Sequence, residues 1–359
     1  MTIYEIIIWI MGIFAVLGGI DRIIGNRFGI GQRFEEGILA MGSLALAMIG
    51  VISLAPVLAN VLKPVVAPVF SFLGADPAMF AGTLLACDMG GGALAQQMTT
   101  DPQAALLGGV INGSMMGATI VFTIPIALGI LDPQDRSALA KGVLCGIVTI
   151  PIGILVGGIV AGFPIGMVLR NLIPIVLIAI LIGLGLWKAE NAMIKGFTLF
   201  GKGITAVITF GLVVSIVESL TGFTLIPGMT PIEEGFETVG DIAIVLAGAF
   251  PLVYFITKLL EKPLMKLGGV LGINDTAAAG LIASLANSIA TFGMVKDMDP
   301  RGKIVNIAFA VSAAFVLGDH MGFAAGFAPE MLVPMIFGKL AGGISAVAVA
   351  LVLTRKYRD

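Results

Sequence analysis

Ionisable residues that fall inside long apolar stretches are the natural place to look for chemistry in this chain. Asp88 lies in Cys87-Asp88-Met89-Gly90-Gly91-Gly92, and Asp319-His320 lies inside the apolar run 304–327. Glu218 ends the run 204–220, and Lys141 and Lys339 lie within two further runs. A charge in hydrocarbon costs about 2.5–3.5 kcal/mol on insertion scales, and such groups usually mark a solute or proton path. A carboxylate beside three glycines can approach a solute closely, and glycine lets backbone carbonyls turn toward it. The C-terminal end of a preceding half-helix adds negative potential there. Asp88 is therefore expected to hold a small cation; the competing structural role is capping of the helix that follows. Asp319 and His320 are expected to serve as a cation ligand, a coupling-ion ligand or a proton acceptor, against a packing role. Glu218, Lys141 and Lys339 lie near run ends, where long side chains snorkel to the interface.

Neutral polar groups complete the expected pocket: Asn287 and Ser288, Gln97 (with Gln96), and Asn112 and Ser114. Amide and hydroxyl groups can hold a solute hydroxyl while a carboxylate holds an ammonium. Their structural alternative is hydrogen bonding between close-packed helices. Gly90, Gly91, Gly92 and Ala286 mark two places where an apolar run is expected to unwind. No zinc motif, HExxH or GxSxG is present, and Gly29-Ile30-Gly31 has no strand before it, so no enzyme, resident metal or cofactor is expected. Cys87 and Cys145 read as small apolar packers without metal-ligand spacing.

The elements that position these residues span a membrane. The composition is 58% hydrophobic and 12% charged, against about 45–50% and about 25% in soluble domains. Runs 38–62, 103–130, 138–161 and 241–260 are nearly charge-free, at or beyond the roughly 20 residues a spanning helix needs. The segment 3–24 reads as a retained span, since Glu5 stands where a signal peptide would be basic. Tyr4, Trp9 and Trp187 lie near run ends, where amphipathic rings favour the headgroup layer. A net charge of −2 without a large basic patch argues against nucleic acid.

Self-comparison shows a repeat. A shift of 198 residues places Glu35-Glu36-Gly37 on Glu233-Glu234-Gly235, Gly74 on Gly272, Gly82 on Gly280, Asp101-Pro102 on Asp299-Pro300 and Lys141 on Lys339. Lys63-Pro64 falls one residue from Lys262-Pro263. The expected organisation is repeat one at 1–165, a connecting span and loop at 166–197, and repeat two at 198–359. The first loop of copy one carries Arg22, Arg27 and Arg33; its counterpart, 219–240, carries Glu233, Glu234 and Glu237 and no Lys or Arg. Opposite loop charge implies that the copies lie upside down relative to each other. Basic clusters at Lys188–Lys202, Lys258–Lys266, Lys296–Lys303 and Arg355–Arg358 are assigned to the cytoplasm, placing the N-terminus outside and the C-terminus inside. Two of these flank one apolar segment, 273–295, so that segment must return to its own side. The fold expected is an all-α polytopic membrane protein of two inverted-topology repeats. It has nine spans plus two re-entrant hairpins, 77–98 and 273–295; the alternative is eleven full spans. Inverted repeats with broken helices are a plan of secondary transporters.

Four strings carry a family resemblance: Leu85-Ala86-Cys87-Asp88-Met89-Gly90-Gly91-Gly92, Ile111-Asn112-Gly113-Ser114-Met115-Met116-Gly117, Ala283-Ser284-Leu285-Ala286-Asn287-Ser288 and Leu317-Gly318-Asp319-His320-Met321-Gly322-Phe323. With these the chain resembles the ethanolamine-utilisation permease (EutH) family over essentially its whole length. The resemblance implies a bacterial inner-membrane protein that imports ethanolamine as a carbon or nitrogen source. It also implies a downstream cobalamin-dependent lyase, whose cofactor belongs to that enzyme. A fainter likeness to the gate region of concentrative nucleoside transporters rests on Lys63-Pro64…Gly74 and Lys262-Pro263…Gly272 and concerns fold alone. The runner-up function is ion-coupled transport of another small amine or a nucleoside; a homo-oligomer is left open.

Overall fold

The structure, a computed structural model, describes residues 3–355, without the side chains of 3, 4, 190, 194, 260–262, 264 and 267. The interfacial reading of Tyr4 and the charges of Lys262, Lys356 and Arg358 lie outside the described residues. All regular structure among the described residues is helical. Eight helices are long and apolar enough to cross a membrane. Large apolar side chains are exposed along them, among them Val16, Leu46, Leu181, Leu199, Ile244 and Val352. Water would not tolerate so continuous an apolar exterior, whereas lipid does; the protein is a multi-pass membrane protein.

Copy one begins with α1 (Ile3–Ile23) and the long α2 (Ile30–Phe72). Asp21 ties the turn between them by accepting from the backbone N–H groups of Phe28, Ile30 and Gly31 at 3.0, 2.9 and 2.8 Å. The short α3 (Ala78–Leu84) and α4 (Gly91–Met98) follow, then α5 (Pro102–Ile130) and α6 (Pro133–Val160). The connecting span is α7 (Ile165–Lys188). Copy two runs α8 (Glu190–Thr221), α9 (Ile232–Leu271), α10 (Asp275–Ala286), α11 (Ser288–Met294), α12 (Pro300–Ala313), α13 (Asp319–Phe327) and α14 (Leu332–Leu353).

The pairs α3/α4 and α10/α11 are hairpins whose ends meet. Thr99 Oγ1 donates to Asp76 Oδ2 at 2.7 Å, joining the two feet of the first. The Asn274 amide N–H donates to Asp299 Oδ1 at 2.8 Å, and its side chain to the Asp297 carbonyl at 3.0 Å, joining the feet of the second. The longest arm, α10, has 12 residues and rises about 18 Å, against a hydrocarbon core of about 30 Å. No single arm is long enough to cross a membrane by itself.

The repeated sequence marks correspond to repeated structure. Asp101 and Asp299 each cap a helix with proline in its first turn: Asp101 accepts from Gln103 and Ala104 N–H, Asp299 from Arg301 and Gly302 N–H. This is why Asp-Pro recurs at the repeat spacing, since the carboxylate satisfies free N–H groups and proline lacks one. α2 and α9 cross in close contact. A methyl on Gly37 would meet the Leu246 backbone at 2.5 Å, and one on Gly235 would meet Ile49 at 3.0 Å. Contacts that rise along one helix fall along the other, so the two run antiparallel. Shifted by 198 residues, Leu246 falls on position 48 and Gly235 on position 37, so the contact of Gly235 with Ile49 lies within one residue of its counterpart.

Two features depart from the expectation. The run 304–327 is not one helix: 314–318 are non-helical, and Phe315 adopts φ 62°, a left-handed conformation strained for an aromatic residue. Its amide and that of Leu317 donate to the Ser284 and Leu285 carbonyls at 3.1 and 2.8 Å, splicing this break onto the second hairpin. In copy one the corresponding helix α5 does not break but widens into π turns over Leu107–Gly117 and Thr119–Thr123.

Candidate functional site

The first hairpin turns through Leu85 and Ala86, both extended, and closes at Gly90, φ 89°. A side chain at position 90 would also collide with Val51, so glycine is required on both grounds. Asp88 sits in this turn. Its carboxylate does not cap α4, whose start has no side-chain cap. Instead Oδ1 faces His320 Nε2 at 3.7 Å and lies 4.0 Å from Cys87 Sγ. The second hairpin turns differently: Asn287 is extended and its Oδ1 accepts from the Ile289 N–H at 2.7 Å, capping α11.

Asp88, Asp319 and His320 line one cavity of about 170 Å³, together with Ser43, Ala86, Phe122 and Phe315. Phe122 and Phe315 stand edge to face at 5.4 Å, and the Phe315 ring lies 5.2 Å from the His320 ring. His320 is buried, and its Nδ1 has no hydrogen-bond partner among the described residues. A second cavity of about 350 Å³ is lined by Asp319, Ala286, Asn287, Arg33, Glu36 and Tyr254. Asp319 is common to both. In the second, Arg33 pairs with Glu36 at 2.5 Å and lies over the Tyr254 ring at 5.5 Å, with Lys258 on the same ring at 5.3 Å.

The remaining expected residues divide. Asn112 is buried away from the cavities and donates to the Met79 carbonyl at 3.2 Å and Thr83 Oγ1 at 3.0 Å. Asn306 does the same in copy two, donating at 2.9 Å to the carbonyl of Ala277, the repeat equivalent of Met79. Both asparagines pin a hairpin to the following helix. Ser114 Oγ donates to its own helix at Ile111; what it offers the core is its backbone carbonyl. Gln96 and Gln97 are exposed, and Ser288 is buried without lining either cavity. Gly91 and Gly92 are packing positions: a methyl on Gly92 would meet Phe323 at 2.8 Å.

Lys339 corrects the snorkelling expectation. It is 1% exposed and donates to the Ser114 carbonyl at 2.5 Å, while its repeat partner Lys141 is only half-buried. Glycines at 338, 342 and 343 let α14 pack against α6 and α12, which encloses the lysine. Aromatic rings in the cavity also exceed expectation, through Phe122 and Phe315, which nothing in the sequence pattern marks. Cys87 Sγ, an Asp88 oxygen and a His320 nitrogen lie within 4.8 Å of one another. These are donor types that transition metals accept; residues 87 and 320 converge only through the fold, so spacing could not reveal the cluster.

Eight apolar spans around a buried acidic cavity define a multi-pass membrane protein. The match of its residues 3–353 to the model described as "Ethanolamine utilisation protein, EutH" shows that the chain belongs to the EutH family. It is 63% identical, over 99% of its length and 95% of the relative's, to "Probable ethanolamine permease EutH" of Listeria monocytogenes serotype 1/2a (strain 10403S). It is 50% identical, over 99% and 97%, to the protein of the same name in Escherichia coli (strain K12). It is 52% identical, over 99% and 96%, to the "Uncharacterized protein YxeR" of Bacillus subtilis (strain 168). No solved structure matches it.

Proposed function

We propose that this protein carries ethanolamine, as the ammonium ion, inward across the bacterial cytoplasmic membrane. The observation that carries this reading is the Asp88 carboxylate, uncapped at a hairpin tip and directed into a small cavity that Asp319 shares. A carboxylate suits the ammonium, aromatic faces add cation–π attraction, and Ser43 and His320 offer partners for the hydroxyl. Cavity size separates the candidates. Drug-sized ligands occupy about 300–1,000 Å³, so a cavity of about 170 Å³ favours a solute of a few heavy atoms over a nucleoside. The names of the relatives agree with an amine of this size.

The reciprocal contact of Gly37 and Gly235 supports two inverted repeats, and loop charge supports an outside N-terminus and a cytoplasmic C-terminus. Alternating access then follows from one hairpin-bearing unit rocking against the other. The amine of ethanolamine, like that of lysine, is mostly protonated at neutral pH. The neutral fraction that crosses lipid unaided shrinks further as external pH falls. Deleting the gene is therefore expected to impair growth on ethanolamine mainly in acid medium; equal impairment at every pH would count against the reading. Radiolabelled uptake into proteoliposomes is the direct test. Unlabelled ethanolamine is expected to compete and nucleosides are not; competition by nucleosides would favour the alternative.

A further inference from the structure

Resting on the transport reading above, we propose that Lys339 is a built-in cation that stands where a mobile coupling ion would otherwise be held, so that solute movement needs no sodium. Ion-coupled carriers with inverted repeats hold Na⁺ on backbone carbonyls of irregular helices beside the solute site. α5 is widened into π turns rather than broken, and its Ser114 carbonyl, inside that stretch, accepts the Lys339 ammonium. Lysine has only donors and no acceptor, so it fills that carbonyl as a metal cation would. Ser312 Oγ, beside Gly342 one turn along the same helix as Lys339, is a second buried oxygen without a partner.

Charge counting gives the same answer. Lys339 has no carboxylate within ion-pair distance among the described residues, and it donates to the Ser114 carbonyl. Counted at their ordinary charges, Asp88 and Asp319 carry two negative charges and Lys339 one positive. One solute ammonium balances that set, and without Lys339 a second mobile cation would be needed. In copy one the equivalent Lys141 is half-buried and offers no such balance, so the device belongs to one repeat only.

The test is initial ethanolamine uptake by proteoliposomes in matched sodium, potassium and N-methylglucamine salts. Wild type is expected to take up ethanolamine at rates within about twofold in all three. Lys339→Met is expected to fall about a hundredfold in N-methylglucamine, because one buried carboxylate is left uncompensated, and to recover in part when sodium is added. Wild-type uptake that requires sodium would overturn this inference while leaving the transport reading standing. Full activity of Lys339→Met in N-methylglucamine would do the same. Absence of wild-type uptake in every salt would overturn both. A sodium requirement in wild type overturns the inference even if Lys339→Met fails to insert, and Lys339→Arg, which keeps the charge, is expected to retain uptake in N-methylglucamine; loss of uptake there that sodium does not restore would also overturn it.

Discussion

The two hairpins are built alike and used differently. Each is pinned at its feet by side chains and held to the next helix by an asparagine that reaches an equivalent carbonyl. At the second tip the polar residue turns back on its own backbone, as Asn287 caps α11. At the first tip Asp88 leaves α4 uncapped and faces the cavity. The acid of copy two comes instead from the break that follows, at Asp319, which the strained Phe315 loop joins to the second tip. The two hairpins share a scaffold, and the candidate polar groups lie at unequal places in it. A capped asparagine gains local stability, whereas an uncapped buried carboxylate gives that up for a free charge.

This contrast can be broken by substitution. The largest effect is expected at Asp88→Asn. It should lower ethanolamine uptake by about a hundredfold or more, as removal of one partner from a buried charge pair does, with insertion preserved on membrane immunoblots. Asp319→Asn should follow, at about tenfold in uptake rate, because the half-buried Asp319 is reached from two cavities and better hydrated. Asn287→Ala removes a cap worth about 1 kcal/mol; thermal unfolding in detergent should register it while uptake stays within about threefold. Asp101→Ala and Asp299→Ala should each cost about 1 kcal/mol of stability in the same assay. Unequal costs would show that the repeat is not matched at its helix starts. The smallest effect is expected at Gln97→Ala, an exposed position whose replacement should leave uptake unchanged.

Much of this was legible from residue types alone. Apolar runs announced a membrane protein, and the Asp-Pro marks fall on two proline-started helices capped alike. The segment 273–295, which flanking lysines mark, folds as two short arms whose feet meet. Asp88, Asp319 and His320 stood out because charge is costly in lipid, and the fold brings them to one cavity. What stayed hidden has physical causes. Asn112 and Ser114 lie in a π-wound stretch, where ordinary helical periodicity assigns the wrong face. Gln97 sits on an eight-residue arm too short for its buried face to be read from spacing. Ala314–Leu317 is apolar, so hydropathy reads through a break that hairpin carbonyls create from outside. Lys339 and Lys141 share a position in the repeat, and only the packing of α14 separates a buried ammonium from one near the surface.

The central claim is that a solute ammonium is held by Asp88 in the cavity at the turn of the first hairpin. Equilibrium binding of radiolabelled ethanolamine to purified protein, wild type beside Asp88→Asn, tests it without any transport assay. Saturable binding at one site per chain that vanishes in the variant is the predicted result; undiminished binding by Asp88→Asn would contradict it.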